Sequence, residues 1–262
     1  MFYDGLFIFS KVFRQQIYRL CLLLHCGLYI LASPSVYLQF NEIADFILRT
    51  FVKQSKSLFG QELLTYNVHS LSHLALECKS QGCLDSFSAF KYENYLYAIK
   101  GCLQSHYRPL EQLANRYSEA KTHLTKPVKC MKIRLRFLPR GDGVLKDRPV
   151  EQYSLLKIGN TTLKIDKLAD HCFVTKQGDY VLLTSVAKTK AGGEVMLEGR
   201  KFSDINSLYS YPMQSSSLGI VRARKLDLSK NVWCLRDFKQ KCVVIADVDT
   251  FVIIPLIHEL HL

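Results

Sequence analysis

Between Val68 and Ser105 the chain gathers two histidines four residues apart, His69 and His73, two cysteines, Cys78 and Cys83, and one glutamate, Glu93. The glutamate lies in an aromatic segment, Phe90-Lys91-Tyr92-Glu93-Asn94-Tyr95. Two imidazoles at i and i+4 of a helix share a face and can ligate one metal ion. Zinc takes four ligands, or three and a water, so the pair by itself fits half a site, and fits equally two histidines with no ligand. The spacing of Cys78 and Cys83 from the histidines defines no metal site. A helical glutamate can hold a divalent ion for two-metal phosphoryl transfer; it also suits an ordinary surface position.

A second group follows, of a different kind. Lys129, Lys132, Arg134, Arg136 and Arg140 fall in a segment, Lys121 to Lys164, with 11 Lys/Arg against 3 Asp/Glu, so most of the chain's net charge of +12 is concentrated there. Such a block is the electrostatic footprint of a polyanion partner such as DNA, or a solvated basic connector.

These residues need elements to hold them. Ser10 to Ala32 reads as a helix ended by Ser33-Pro34, and Met1 to Phe9 is given no element. Ser35 to Leu58 fits a second helix with Phe40, Ile43, Ala44, Ile47, Phe51 and Leu58 near one face. Glu62 to Lys79 fits a third, placing His69 and His73 together. A fourth runs from about Ser88 to Gln104 and carries Glu93, and a short one starts at Pro109. The pattern changes at Lys126-Pro127. Lys129 to Phe137 alternates basic and apolar residues, the period of a strand, and Pro139 to Gly143 reads as a loop. Tyr153 to Ile158 and Thr161 to Ile165 flank Gly159-Asn160 as a hairpin. Further strands fit 172–175, 180–187, 194–202, 218–226, 232–235, 242–245 and 251–255. The expectation is an α+β protein: an all-α helical region over 1–125, a basic connector with a strand over 126–150, and a small antiparallel sandwich or barrel over 151–262.

At 262 residues with 48% apolar and 22% charged side chains, the chain can build two modest cores and is not of disordered composition. Nine cysteines, odd in number and without a repeating framework, suit a reducing compartment. Lys11, Arg14 and Arg19 ahead of Leu20–Ala32 imitate a signal peptide. The apolar run is short and interrupted by His25, which favours a buried core helix over a membrane span.

Tyr66-Asn67-Val68-His69-Ser70-Leu71-Ser72-His73-Leu74, then Gly82 to Leu96 (GCLDSFSAFKYENYL), then Pro109-Leu110-Glu111-Gln112 resemble the C-terminal part of CACTA (En/Spm-type) transposases. Similarity extends to Leu22-Leu23-Leu24-His25, Phe59-Gly60 and Ser215-Ser216-Ser217-Leu218-Gly219-Ile220. The family's enzymes are DDE transposases with an RNase H-like core, where two aspartates and a final glutamate hold two divalent ions against a DNA phosphate. An inserted helical region is pinned by zinc through a CxxC pair and a histidine pair, with the glutamate about twenty residues beyond. The resemblance therefore implies that His69 and His73 are half of a zinc site and that Glu93 is the third catalytic acid. It also implies that the helices are a remnant of the RNase H-like catalytic region.

The chain departs from that pattern. It has no CxxC, and upstream of Glu93 its only aspartates are Asp4, Asp45 and Asp85, none in a strand of an RNase H-like sheet. One carboxylate cannot position two metal ions. The expectation is a transposon-derived C-terminal fragment that is catalytically inactive by itself and requires no cofactor, whereas the full-length family uses zinc and magnesium. Expected partners are DNA, through the basic residues, and a full-length transposase; no membrane partner is expected, and the location is nuclear or cytoplasmic. The alternative is a domesticated protein-interaction module with no DNA or catalytic role.

Overall fold

The computed structural model describes residues 3–101, 103, 107–123, 133–145, 148–159, 161–167, 170–190 and 193–257. Eight helices come first: α1 (Asp4–Val12), α2 (Gln15–Ala32), α3 (Asn41–Phe59), α4 (Tyr66–Ser70), α5 (Leu74–Gln81), α6 (Leu84–Phe87), α7 (Phe90–Gly101) and α8 (Pro109–His123). Nine strands follow: β1 (Ile133–Leu145), β2 (Arg148–Ile158), β3 (Thr161–Lys164), β4 (Cys172–Thr175), β5 (Tyr180–Thr189), β6 (Val195–Ser207), β7 (Val221–Cys234), β8 (Phe238–Asp247) and β9 (Thr250–Pro255). The chain is α+β, with every strand pairing antiparallel.

Of the two all-β architectures the strand pattern allows, this is the barrel. Strands β4, β5, β6, β7, β9 and β8 pair in that order, and β8 returns to β4, closing the ring. All six contribute to one apolar filling: Cys172 and Val174, Tyr180, Phe202, Val221 and Ala223, Cys242 and Val244, and Ile253. Closure is tightest at β5–β6. There the register shifts between Leu183 and Ser185, and a Cβ on Gly199 would stand 2.6 Å from both the Leu182 carbonyl oxygen and Val181 Cγ1. Glycine is needed for the close approach of the two backbones.

Strand β2 extends this sheet along the far end of β5, pairing Val150–Tyr153 with Val186–Thr189, and carries β1 and β3 on its other reaches. The hairpin at Gly159 forms as its turn chemistry predicts, with Ile158 opposite Thr161. A second apolar cluster, including Leu156, Ile158, Leu163, Phe173, Val181 and Leu197, lies between this extension and the outer wall of the barrel.

A third core joins helices to barrel. Leu20, Leu23, Ile30 and Leu31 of α2 and Ala44, Ile47 and Leu48 of α3 bury against Val252 and Ile254 of β9, and against Tyr209, Leu218 and Ile220 between β6 and β7. Helix α2 is enclosed along most of its length, which is why it is apolar nearly all round instead of striped. A Cβ on Gly27 would meet Leu48 Cδ2 and Cγ at 2.7 Å, so the α2–α3 packing depends on that residue. Tyr29 donates its hydroxyl to the Pro255 carbonyl (2.9 Å), and Asn41 donates its amide to the Ala75 carbonyl (2.9 Å). Among these groups His25 is buried at 1% exposure, its ring against Tyr29 and Tyr209. Burial lowers its pKa to about 3, with a smaller contribution from the N-terminal charge, so the imidazole is neutral.

Several helical expectations are corrected. The long first helix divides at Phe13, whose backbone is extended, and the segment given no element forms α1. The break lets Leu6, 2% exposed, turn onto the core that holds Leu20 and Leu23. The second helix begins at Asn41, six residues late, and its buried face is Ala44, Ile47, Leu48 and Ser55; Ile43 and Leu58 are exposed. The third is broken into a short 3-10 turn (Gln61–Leu63), α4 and α5. Ser70 and Ser72 donate to the carbonyls of Asn67 and His69, an arrangement in which serine side chains compete with the backbone for acceptors. The two strands expected over 218–226 and 232–235 are one strand, β7, which spans Val221–Cys234. The loop expected at Pro139–Gly143 lies within β1, where the register jumps from Phe137 opposite Tyr153 to Asp142 opposite Glu151, a bulge in place of a connection. No helix among the described residues is long and apolar enough to cross a membrane.

Candidate functional site

The imidazoles meet. Helix α4 ends at Ser70 and His73 is the N-cap of α5, yet the turn between them stays right-handed, with His73 N donating to the Ser70 carbonyl (3.0 Å). The i, i+4 relation therefore survives the break. The two Nε2 atoms stand 3.4 Å apart on an exposed surface. Two nitrogens bound tetrahedrally at about 2.05 Å from zinc are separated by roughly 3.3 Å, so the pair fits two of the four positions of such a site. Two further ligands are not at hand: no group of three His, Cys, Asp or Glu residues gathers among the described residues. Cys78 is buried on α5, where desolvation, reinforced by the neighbouring Cys83 and Glu77, pushes its thiol up to about 12. Without a metal beside it the thiol stays protonated. Cys83 is also buried, with its Sγ 3.5 Å from Ser86 Oγ.

Glu93 is exposed in the first turn of α7. None of the described side chains of α7 or α8 belongs to the helix–barrel core. Asp45, one of the three upstream aspartates, pairs with Arg49 at 2.7 Å on the outside of α3, and Asp85 opens the short α6. The structure thus brings His69 and His73 together, and among the described residues Glu93 belongs to no cluster of metal-ligating side chains.

For the basic residues, strand register supplies what spacing could not. Leu135, Leu156 and Leu163 align across β1, β2 and β3 and pack on the barrel wall. In the flanking rows Arg134 stands opposite Lys157, which stands opposite Thr162; Arg136 stands opposite Leu155, which stands opposite Lys164. Because successive residues of a strand alternate faces, Lys157 and Lys164 occupy the face turned away from the leucines, in register with Arg134 and Arg136. Arg140 lies in the bulge of β1, and Lys129 and Lys132 lie outside the described residues. The sequence alone did not pick out Lys157 and Lys164 as members of this face. The signal was present in the Gly159-Asn160 hairpin, whose two-residue turn sets which residues of β2 and β3 align.

The block Ser215–Ile220, which contributed to the family resemblance, has a structural task. The buried Ser215 hydroxyl donates to the Ile220 carbonyl (2.7 Å) and accepts from the Leu208 and Tyr209 amides (2.7 and 3.3 Å). Gly219 adopts φ +74°, a left-handed conformation that favours glycine, and its carbonyl receives the Tyr180 hydroxyl (2.8 Å). These bonds fix the β6–β7 connection against which α2 packs.

A domain family of unknown function, DUF8592, matches residues 139–256, from within β1 to just past β9. The match covers the barrel and most of its extension and leaves the eight helices outside it. No curated protein and no solved structure matches the chain.

Proposed function

We propose that this is a transposon-derived protein, similar to the C-terminal part of a CACTA-type DDE transposase, that lacks strand-transfer activity by itself and retains DNA binding. The observation that carries the binding proposal is the register of β1–β3, which sets Lys157 and Lys164 on the face away from the leucines and aligns Arg134 and Arg136 with their rows. A row of cations at strand spacing supplies phosphate contacts, which give affinity without reading sequence. His69 and His73 would be the surviving half of a zinc site and Glu93 the surviving third acid. Such a protein would act in the nucleus, or in the cytoplasm alongside a full-length transposase partner.

The test is binding of the whole chain to duplex DNA at two ionic strengths. With about four phosphates neutralised, affinity should fall about 100-fold between roughly 50 and 200 mM salt. K157Q/K164Q should weaken binding uniformly across sequences and flatten the salt slope. Salt-insensitive binding, or an unchanged slope in the double variant, would sink the proposal.

A second reading, a domesticated protein-interaction module, is favoured by the apolar residues that the distal helices expose. Tyr97, Leu110 and Tyr117 stand 81%, 79% and 56% exposed. A chain that fails to retain DNA and binds a protein partner through α7 and α8 would establish this reading instead.

A further inference from the structure

A cleft on the helical side of the molecule belongs to none of the features above. Its walls are Gln16 and Arg19 of α2 and Gln54, Ser57 and Leu58 of α3, with Tyr211 from the β6–β7 connection, and it encloses about 230 Å³. We propose that this cleft binds a phosphoryl group.

The lining chemistry points there. The Arg19 guanidinium sits over the Tyr211 ring, 5.6 Å from its centroid, an arrangement that holds an arginine in place by cation–π attraction. That contact leaves the N–H donors of its planar fork unspent, since Arg19 has no carboxylate partner among the described residues. The fork matches phosphate oxygens two at a time. Two glutamine amides and a serine hydroxyl add neutral donors from both helices, and none of the six lining residues is acidic. Donors on two sides suit the three oxygens of a phosphoryl group better than the two of a carboxylate. Lys53, exposed one turn before Ser57, and Arg14, exposed two residues before Gln16, add positive potential at the margins. The volume falls below the range of about 300–1,000 Å³ that accepts a drug-sized ligand. It suits a phosphate and the part of a molecule next to it, either the terminal phosphate of a nucleic acid or a small phosphorylated compound.

The experiment titrates the full chain, labelled with nitrogen-15, and reads the side-chain amide resonances of Gln16 and Gln54. Three probes are compared: inorganic phosphate, a 5′-phosphorylated DNA dinucleotide and the same dinucleotide without its phosphate. Saturable shifts with the first two and none with the third are expected, and Arg19→Met should weaken both at least tenfold while Arg19→Lys weakens them less. Tighter binding of the phosphorylated dinucleotide than of inorganic phosphate identifies a nucleic-acid end as the source; equal or weaker binding identifies a small phosphorylated compound. K157Q/K164Q, on β2 and β3 and outside the cleft lining, should give the parent's response to each of the three probes, so failure of the DNA-binding proposal and failure of this one are separable. Should Arg19→Met lose the native spectrum, Gln54→Leu on the exposed rim replaces it, with the same weakening expected. Absence of saturable shifts, equal shifts from the unphosphorylated dinucleotide, or undiminished binding in Arg19→Met or Gln54→Leu would overturn the inference.

Discussion

His25 and the His69–His73 pair behave oppositely. On α2, His25 is sealed between helices and barrel, 1% exposed and neutral. On α4 and at the start of α5, His69 and His73 face solvent with their Nε2 atoms 3.4 Å apart. The first histidine stands in a helix that shares a core with β9 and the β6–β7 connection. The second pair stands on the outer side of α4 and α5, while Ala75 and Cys78 of α5 turn inward to the same core. The comparison teaches that the residues with the most legible chemistry sit where the fold has least at stake. The residues holding the fold together look chemically ordinary.

The sharpest way to break that comparison is at the barrel seam. Gly199→Val places a branched side chain where the Leu182 carbonyl leaves no room. It should cost about 3 kcal/mol or more, seen as loss of the cooperative thermal transition or a large fall in its midpoint. Glu93→Ala, on the exposed α7, should shift the same transition by no more than about 0.5 kcal/mol. Comparable effects of the two substitutions would refute the division drawn here.

Next in size is a pH effect from His25. Its pKa is about 3 in the folded protein because burial disfavours the cation, against an ordinary value near 6.5. Between those values the unfolded chain binds the proton and the folded chain does not, so stability rises with pH. The contribution of the neutral ring is fully present above about pH 6.5 and is lost as pH falls toward 3. It amounts to on the order of 4 kcal/mol across the window. Denaturant unfolding at a series of pH values should show this slope, and His25→Leu should flatten it.

Smaller effects refine the helix–barrel junction. Gly27→Ala gains helix propensity of about 1 kcal/mol but drives a methyl against Leu48, a cost of about 1–3 kcal/mol. A net loss is expected, partly restored by Leu48→Val in a double-mutant cycle. Tyr29→Phe removes the hydroxyl that reaches the Pro255 carbonyl and should cost about 1 kcal/mol. Both are read as shifts in unfolding midpoint. If either leaves it unchanged, the helices contribute less to the barrel's stability than their shared core implies.

Much of the architecture was legible in the sequence because β-structure leaves a local trace. Short β-runs between turn signals located β4, β5, β6, β8 and β9 to within a few residues at most ends, and Gly159-Asn160 marked its hairpin. The failures share a cause. The bulge in β1 reads as a loop because Pro139 to Gly143 has turn chemistry, and only the partner strand shows that pairing resumes at Asp142. The break at Phe13 has no proline or glycine to announce it; burial of Leu6 against distant residues selects it. The site was legible in pieces. The i, i+4 spacing correctly brought His69 to His73, whereas the grouping of Lys157 and Lys164 with Arg134 and Arg136 needed the strand register.

By itself the sequence determined the class of the protein: helices first, then short antiparallel strands, with positive charge concentrated at the junction. Those properties follow from periodicity and composition, which are local. Only the tertiary structure decided that the strands close into a ring, since closure depends on β8 meeting β4 across a long stretch of chain. It also decided that α2 is a structural wall of the barrel's surroundings, and that one histidine is buried while two are not. Burial is a property of what packs against a residue, and for His25 those neighbours include Tyr209, far away in the chain.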